Sequence, residues 1–146
     1  MTENVALIPA RSGSKGIRNK NIKRICGYSL LEWSIKAALR SEQVNKVIVS
    51  TDSKEYAEHA YKAGAEVPFL RPKEISLDYS TDYEFIDHAL NWLNQNEKMP
   101  DLIVHLRPTT PLRDPLLIDN AIKTFKDSTN RTSLRSVHEM SESSYK

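Results

Sequence analysis

Residues able to do chemistry crowd into one segment near the N-terminus. Between Asn4 and Leu31 there is no acidic residue, yet the stretch carries Arg11, Lys15, Arg18, Lys20, Lys23 and Arg24. Ser12, Gly13, Ser14 and Gly16 are interleaved with the first of these cations. Glycine lets a backbone turn sharply and approach a ligand closely. Backbone amides exposed in such a turn make an anion nest, which Arg and Lys reinforce. A polyphosphate is the guest this chemistry suits; a solvated basic loop is the other reading of the same residues. Two familiar phosphate motifs do not fit. The P-loop requires Lys after its second glycine, but Ile17 follows Gly16, and Gly13-Ser14-Lys15-Gly16 has the wrong spacing for a dinucleotide fingerprint.

The elements that must position this loop follow from hydrophobic periodicity. Val5–Ile8 reads as a buried strand, and residues 29–40 as a helix with Leu30, Leu31, Ile35 and Ala38 on one face. Val47–Val49 is a second strand and 53–63 a second helix, stopped at Gly64. Glu66–Leu70 reads as a short strand despite Pro68. After an irregular loop over 71–80, a third helix spans about 82–97, capped by Thr81 or Asp82. Leu102–Leu106 is a strand, 115–126 a fourth helix, and 132–137 a fifth strand. Strands alternating with helix-length crossovers predict an α/β fold: a doubly wound three-layer sandwich around a mostly parallel sheet.

In such sheets ligands bind at the carboxyl ends of the strands. That rule selects the basic loop, Ser50-Thr51-Asp52, the loop from Leu70-Arg71-Pro72, and Leu106 through Arg113. Arg107 and Arg113 flank Pro108-Thr109-Thr110-Pro111, where a phosphate or carboxylate could sit; an ion pair of Arg113 with Asp114 or Asp119 is the alternative. Asp52 reads as a helix N-cap. Asp78, Asp82 and Glu84 read as a solvated acidic loop running into a helix start. His59, His88, His105 and His138 lack metal-ligand spacing, and His105 reads as structural. Trp33 and Trp92 read as core or interface residues.

Composition narrows the class. The 146 residues suit one domain, 1–146, with 27% charged residues and a net charge of +2. Charge this close to balance argues against coating nucleic acid. The single cysteine, Cys26, excludes a disulfide scaffold or a Cys-rich zinc site within the chain. No signal peptide core or membrane span is read, so a cytoplasmic protein is expected.

Motifs in order then suggest a family. Leu7-Ile8-Pro9-Ala10-Arg11-Ser12-Gly13-Ser14-Lys15-Gly16 with Asn19-Lys20-Asn21-Ile22 resembles the opening motif of the acylneuraminate cytidylyltransferases. Val49-Ser50-Thr51-Asp52, Leu70-Arg71-Pro72-Lys73-Glu74-Ile75, Arg107-Pro108-Thr109-Thr110-Pro111-Leu112-Arg113 and Glu142–Lys146 resemble later motifs of that family, in sequence. The resemblance implies a nucleotide-diphospho-sugar transferase-like fold and transfer of CMP from CTP to a sialic-type sugar acid, with Mg²⁺. It implies that Arg11, Ser14, Lys15, Lys20 and Asn21 hold the nucleotide, with Lys20 and Arg11 catalytic. Arg71 would contact the cytosine, and Thr81 and Asp82 would lie beside the nucleotide. Arg107, where many members have Gln, would lie near both substrates. Thr109 and Lys146 would contact the sugar acid. The related 3-deoxy-manno-octulosonate enzymes have an Asp near Thr109, so its absence favours the acylneuraminate branch. The family's further sugar-binding residues, metal-binding Asp pair and homodimer segment are expected in a C-terminal part beyond Lys146, leaving the metal ligands unassigned. Use of another nucleotide such as GTP, and a truncated, non-catalytic nucleotide-binding domain, are the competing expectations.

Overall fold

A computed structural model describes residues 3–137. The Glu142–Lys146 motif and His138 lie outside them. The central strand is the apolar run nearest the N-terminus. β1 (Asn4–Pro9) lies between β4 (Lys46–Ser50) and β5 (Leu102–His105), and both pairings are parallel. Leu7 is in register with Ile48 on one side and His105 on the other.

Alternation along β1 feeds two separate cores. Ala6 and Ile8 pack with Val47, Val49, Leu31, Ile35, Tyr56, Ala60, Ile118 and Ile122. Val5 and Leu7 pack with Ile48, Phe85, Ala89 and Leu93. Helices α1 (Leu30–Leu39), α2 (Lys54–Lys62) and α4 (Pro115–Asp127) therefore cover one face, and α3 (Asp82–Asn96) the other. Both faces of β1 are covered, which is why its run of Val5-Ala6-Leu7-Ile8 is apolar without interruption. The three-layer α/β expectation holds.

Helix ends follow local chemistry. Ser29 caps α1 by accepting from Glu32 N–H, while the Glu32 carboxylate accepts from Ser29 N–H at 2.7 Å. Ser53 caps α2 and Asp114 caps α4 ahead of Pro115. Glu84 folds back to accept from the N–H and hydroxyl of Thr81, the N-cap of α3. Gly64, past the end of α2, takes φ +99°, a conformation that leaves little alternative to glycine.

Three local expectations change. Glu66–Leu70 contributes one parallel bridge, Glu66 to Ile48, because Pro68 cannot extend the ladder. Residues 132–137 form no strand; they lie on the surface and pair with no strand among the described residues. An unexpected hairpin appears instead, β2 (Arg24–Ile25) with β3 (Tyr28–Ser29). Its turn residues Cys26 and Gly27 have φ of 52° and 87°, the sign that tight hairpin turns require. Trp33 secures it, donating to Ile25 O at 2.9 Å and meeting Tyr28 edge-on. Trp92 packs beside Phe69 on the opposite core. No helix among the described residues is long and apolar enough to cross a membrane.

Candidate active site

A cleft of about 620 Å³ opens at the carboxyl edge of the sheet. The loop after β1 supplies Arg11, Ser14, Lys15, Gly16, Lys20 and Asn21. The segment entering α3 supplies Arg71, Asp78, Thr81, Asp82 and Phe85, and the loop after β5 supplies Arg107 and Thr109. Every residue that the family resemblance assigned to the nucleotide or the sugar acid therefore lines one cleft, except Lys146, which lies outside the described residues.

The loop after β1 is pinned from the neighbouring strand. Asp52 accepts from Ser12 N–H at 2.8 Å and from the Ser12 hydroxyl at 2.9 Å. It is not the cap of α2; Ser53 does that. Parallel pairing of β1 with β4 sets their ends side by side, so the residue just past one strand meets the loop leaving the other. Asn21 is buried and donates to Arg11 O. The residue in this loop with a left-handed backbone is Asn19, φ 54°, rather than Gly13 or Gly16. Gly16 has open space where a Cβ would stand, so its backbone faces the cleft uncovered.

Arg71 forms the floor. It is 6% exposed, and its Nε and Nη2 donate to Ser50 Oγ at 3.1 Å and Ser50 O at 2.5 Å. Its guanidinium lies 5.0 Å from the centre of the Phe85 ring. Burial pushes its pKa down to about 10, which still leaves it charged at neutral pH.

The other cations differ in how far they are neutralised. Arg11 pairs with Asp78 at 2.6 Å, and Lys15 pairs with the same carboxylate. These contacts hold the Asp78 carboxyl below its ordinary range. Arg107 pairs with Asp82. Among the described residues no carboxylate pairs with Lys20. Asp78 and Asp82 thus engage the basic loops while staying partly exposed, and Glu84 serves the start of α3. The signal of this acidic cluster in the sequence was its position, since it leads into a helix at the binding edge.

Arg113 stays out of the cleft. Neither Asp114 nor Asp119 pairs with it among the described residues; Asp114 caps α4 and Asp119 binds Ser41. Arg113 instead donates to Arg107 O and lines a shallower groove with Trp33, Lys36 and Arg40.

His88 and His105 sit below the cleft against Phe69 and Phe85. Burial lowers both pKa values; Arg71 adds to this at His88, and Arg107 adds at His105 against the opposing pull of Asp82. A base with a depressed native pKa resists protonation when folded, whereas the unfolded chain takes the proton near pH 6.5. The contribution of these rings to stability is therefore present above about pH 6.5 and falls as pH drops below it. Urea midpoints measured from pH 7.5 to 5.5 should decline, and replacing both histidines with Asn should flatten that slope.

No group of three or more His, Cys, Asp or Glu side chains poised for a metal occurs among the described residues. The cleft carboxylates Asp78 and Asp82 are both held by cations. The described residues do not form a magnesium cage.

A parallel sheet covered on both faces, with a cation-lined cleft at its carboxyl edge, defines a three-layer α/β fold with a cleft suited to an anionic ligand. The fold is similar to that of CMP-2-keto-3-deoxy-manno-octonic acid synthetase complexed with CTP, at TM-score 0.71 and 20% identity, over 86% of this chain and 48% of that one. The chain belongs to the cytidylyltransferase family, whose model matches residues 5–145. It is 44% identical over 125 residues to the N-acylneuraminate cytidylyltransferase of Escherichia coli, covering 86% of this chain and 29% of that protein. It is 37% identical over 122 residues to the CMP-N,N'-diacetyllegionaminic acid synthase of Legionella pneumophila, covering 84% and 53%. The chain thus spans between about a third and a half of these relatives' lengths.

Proposed function

We propose that this domain binds CTP and transfers CMP to a nonulosonic sugar acid of the sialic type, releasing pyrophosphate. The observation that carries the reading is the cleft, where Arg11, Lys15, Lys20, Arg71 and Arg107 converge from separate loops at the carboxyl edge of the sheet. The chain's likeness to an N-acylneuraminate cytidylyltransferase and a CMP-N,N'-diacetyllegionaminic acid synthase supports the choice of CTP and sugar acid.

In this reaction a hydroxyl of the sugar acid attacks the α-phosphorus and the bond to pyrophosphate breaks. Negative charge builds on the phosphate oxygens and the leaving group, and fixed cations stabilise it most when water is excluded. Lys20 and Arg11 are assigned to that charge. Ser14, Lys15 and Asn21 would orient the phosphates and ribose. Arg71, held by Ser50, would present its remaining N–H groups to the base. Thr81 and Asp82 would flank the nucleotide, while Arg107 and Thr109 would face the acidic sugar. Lys146 is assigned to the sugar carboxylate by motif alone. Mg²⁺ typically binds through phosphate oxygens with few protein ligands, so it belongs to this reading as a companion of the triphosphate.

A homodimer is part of the same reading. Leu112, Leu116 and Leu117 support it, since all three are more than 60% exposed at the start of α4. A cytoplasmic location belongs to the same reading.

Thermal melts with each of the four nucleoside triphosphates, with and without Mg²⁺, test the proposal. CTP at 100 times its Kd should add about 2.7 kcal/mol, a rise in Tm of roughly 5–10 °C. Equal or absent shifts with all four would overturn the CTP assignment.

A further inference from the structure

Asp78 is an odd neighbour for a phosphate site. Its carboxylate bridges Arg11 and Lys15, cations from the loop after β1, and it lies 67 residues away from Arg11 along the chain. All three side chains line the same cleft. Arg11 is further aimed by donating to Gly13 O at 3.2 Å. Structural reasons for the Asp78 contact are weak. It is about a third exposed, as is Arg11, and exposed ion pairs add little to folding. The contact therefore matters for the cleft more than for the fold.

A carboxylate held by two phosphate-binding cations occupies the place of an anionic ligand. A polyphosphate entering the cleft meets Arg11 and Lys15 sharing one carboxylate charge between them, and it must displace Asp78 to gain both cations in full. We propose that Asp78 is a resident counter-ion of the phosphate cradle, exchanged for polyphosphate on binding and returned to Arg11 and Lys15 when pyrophosphate leaves. The inference deepens the nucleotide reading and rests on its assignment of Arg11 and Lys15 to phosphate.

Physical consequences follow from the exchange. Asp78 keeps the cations apart in charge terms while the cleft is empty, since like charges this close would repel. It also lowers affinity, because part of the attraction for phosphate is spent on breaking its own contacts. A structural clamp would behave oppositely: losing it would let Arg11 and Lys15 wander and would weaken binding.

Calorimetric titration of the wild-type chain, Asp78→Asn and Asp78→Glu with inorganic triphosphate and with CTP separates these roles. Asp78→Asn keeps the side-chain shape and removes the charge. It should bind both ligands about 5–10-fold tighter at low salt, with a steeper salt dependence. Asp78→Glu should stay near wild type. Asp127→Asn, on the exposed end of α4, makes the same change in net charge outside the cleft and should alter neither affinity. Unchanged or weaker binding by Asp78→Asn overturns the counter-ion role, and selective CTP binding in the same titration would leave the nucleotide reading standing. Tighter triphosphate binding by Asp78→Asn without any preference for CTP supports the counter-ion and overturns the CTP assignment. No binding of either ligand by any of the variants overturns both.

Discussion

Lys20→Ala is expected to weaken CTP binding by about 10–100-fold, corresponding to loss of a charge-assisted contact of roughly 1.5–3 kcal/mol. The reason lies in how the cleft distributes its charge. Arg11 and Lys15 share Asp78, Arg107 is engaged by Asp82, and Arg71 is tied to Ser50. Lys20 and Arg71 are the two of these cations with no carboxylate partner among the described residues, and since Arg71 is buried and tied to Ser50, Lys20 is the one whose attraction for an anion is undiminished. It stands on a short helical turn, Lys20–Ile22, following Asn19, whose left-handed backbone redirects the loop. Lys20→Arg should retain part of the affinity, since it keeps the charge but not the compact ammonium. In a turnover assay with sugar acid, the loss for Lys20→Ala should reach about 10²–10³-fold, the scale for removing one group that stabilises transition-state charge. Calorimetric titration with CTP and a pyrophosphate-release assay measure the two effects. Wild-type affinity in Lys20→Ala would remove Lys20 from the site.

Asp119→Ala is expected to cost about 3 kcal/mol of folding stability, the largest effect foreseen away from the cleft. Asp119 is buried on α4, 5% exposed. It accepts from the Ser41 hydroxyl, from Gln43 N–H at 3.1 Å and from Glu42 N–H at 3.3 Å. It thereby fastens α4 to the turn between α1 and β4. Alanine would leave the buried Ser41 hydroxyl without its acceptor and would strip the Gln43 and Glu42 N–H groups of theirs. Burial by itself would raise the Asp119 pKa, but the three donors overcome it and hold the carboxyl below its usual range. The depressed native value means that this stability is present above the unfolded value near pH 4 and lost as pH falls through the folded one. Urea unfolding at pH 7 gives the size of the effect. Unfolding between pH 5 and 3 should show a shallower decline for Asp119→Ala than for the wild type. Asp119→Asn, which keeps the shape and loses the charge, should have intermediate stability at pH 7 and the same shallower decline with pH as Asp119→Ala.

Periodicity and punctuation alone located β1, β4, β5 and all four helices to within a residue or two. Apolar runs covered on both faces and 3.6-residue stripes are local properties that survive whatever the rest of the chain does. The cation-rich loop from Arg11 to Asn21 was legible for the same reason, since its composition and its place after a strand are both local. The hairpin at Arg24–Ser29 was not legible: strands of two residues carry no period, and only the positive φ of Cys26 and Gly27 reveals the turn. Residues 132–137 show the opposite failure, because a strand needs hydrogen-bond partners from elsewhere in the chain as well as a local pattern, and these exposed residues make no such pairing.

The sequence by itself therefore determined the α/β architecture, the edge at which a ligand must bind and the residue types that line that edge. Tertiary structure alone decided their partners. Asp52 reaches Ser12 across 40 residues, Asp78 reaches Arg11 across 67, and Asp82 reaches Arg107 across 25. Electrostatic pairing depends on distance in space, and parallel strands joined by helical crossovers bring distant segments together at one edge. Which cations are neutralised and which is left free is settled only when the sheet has formed.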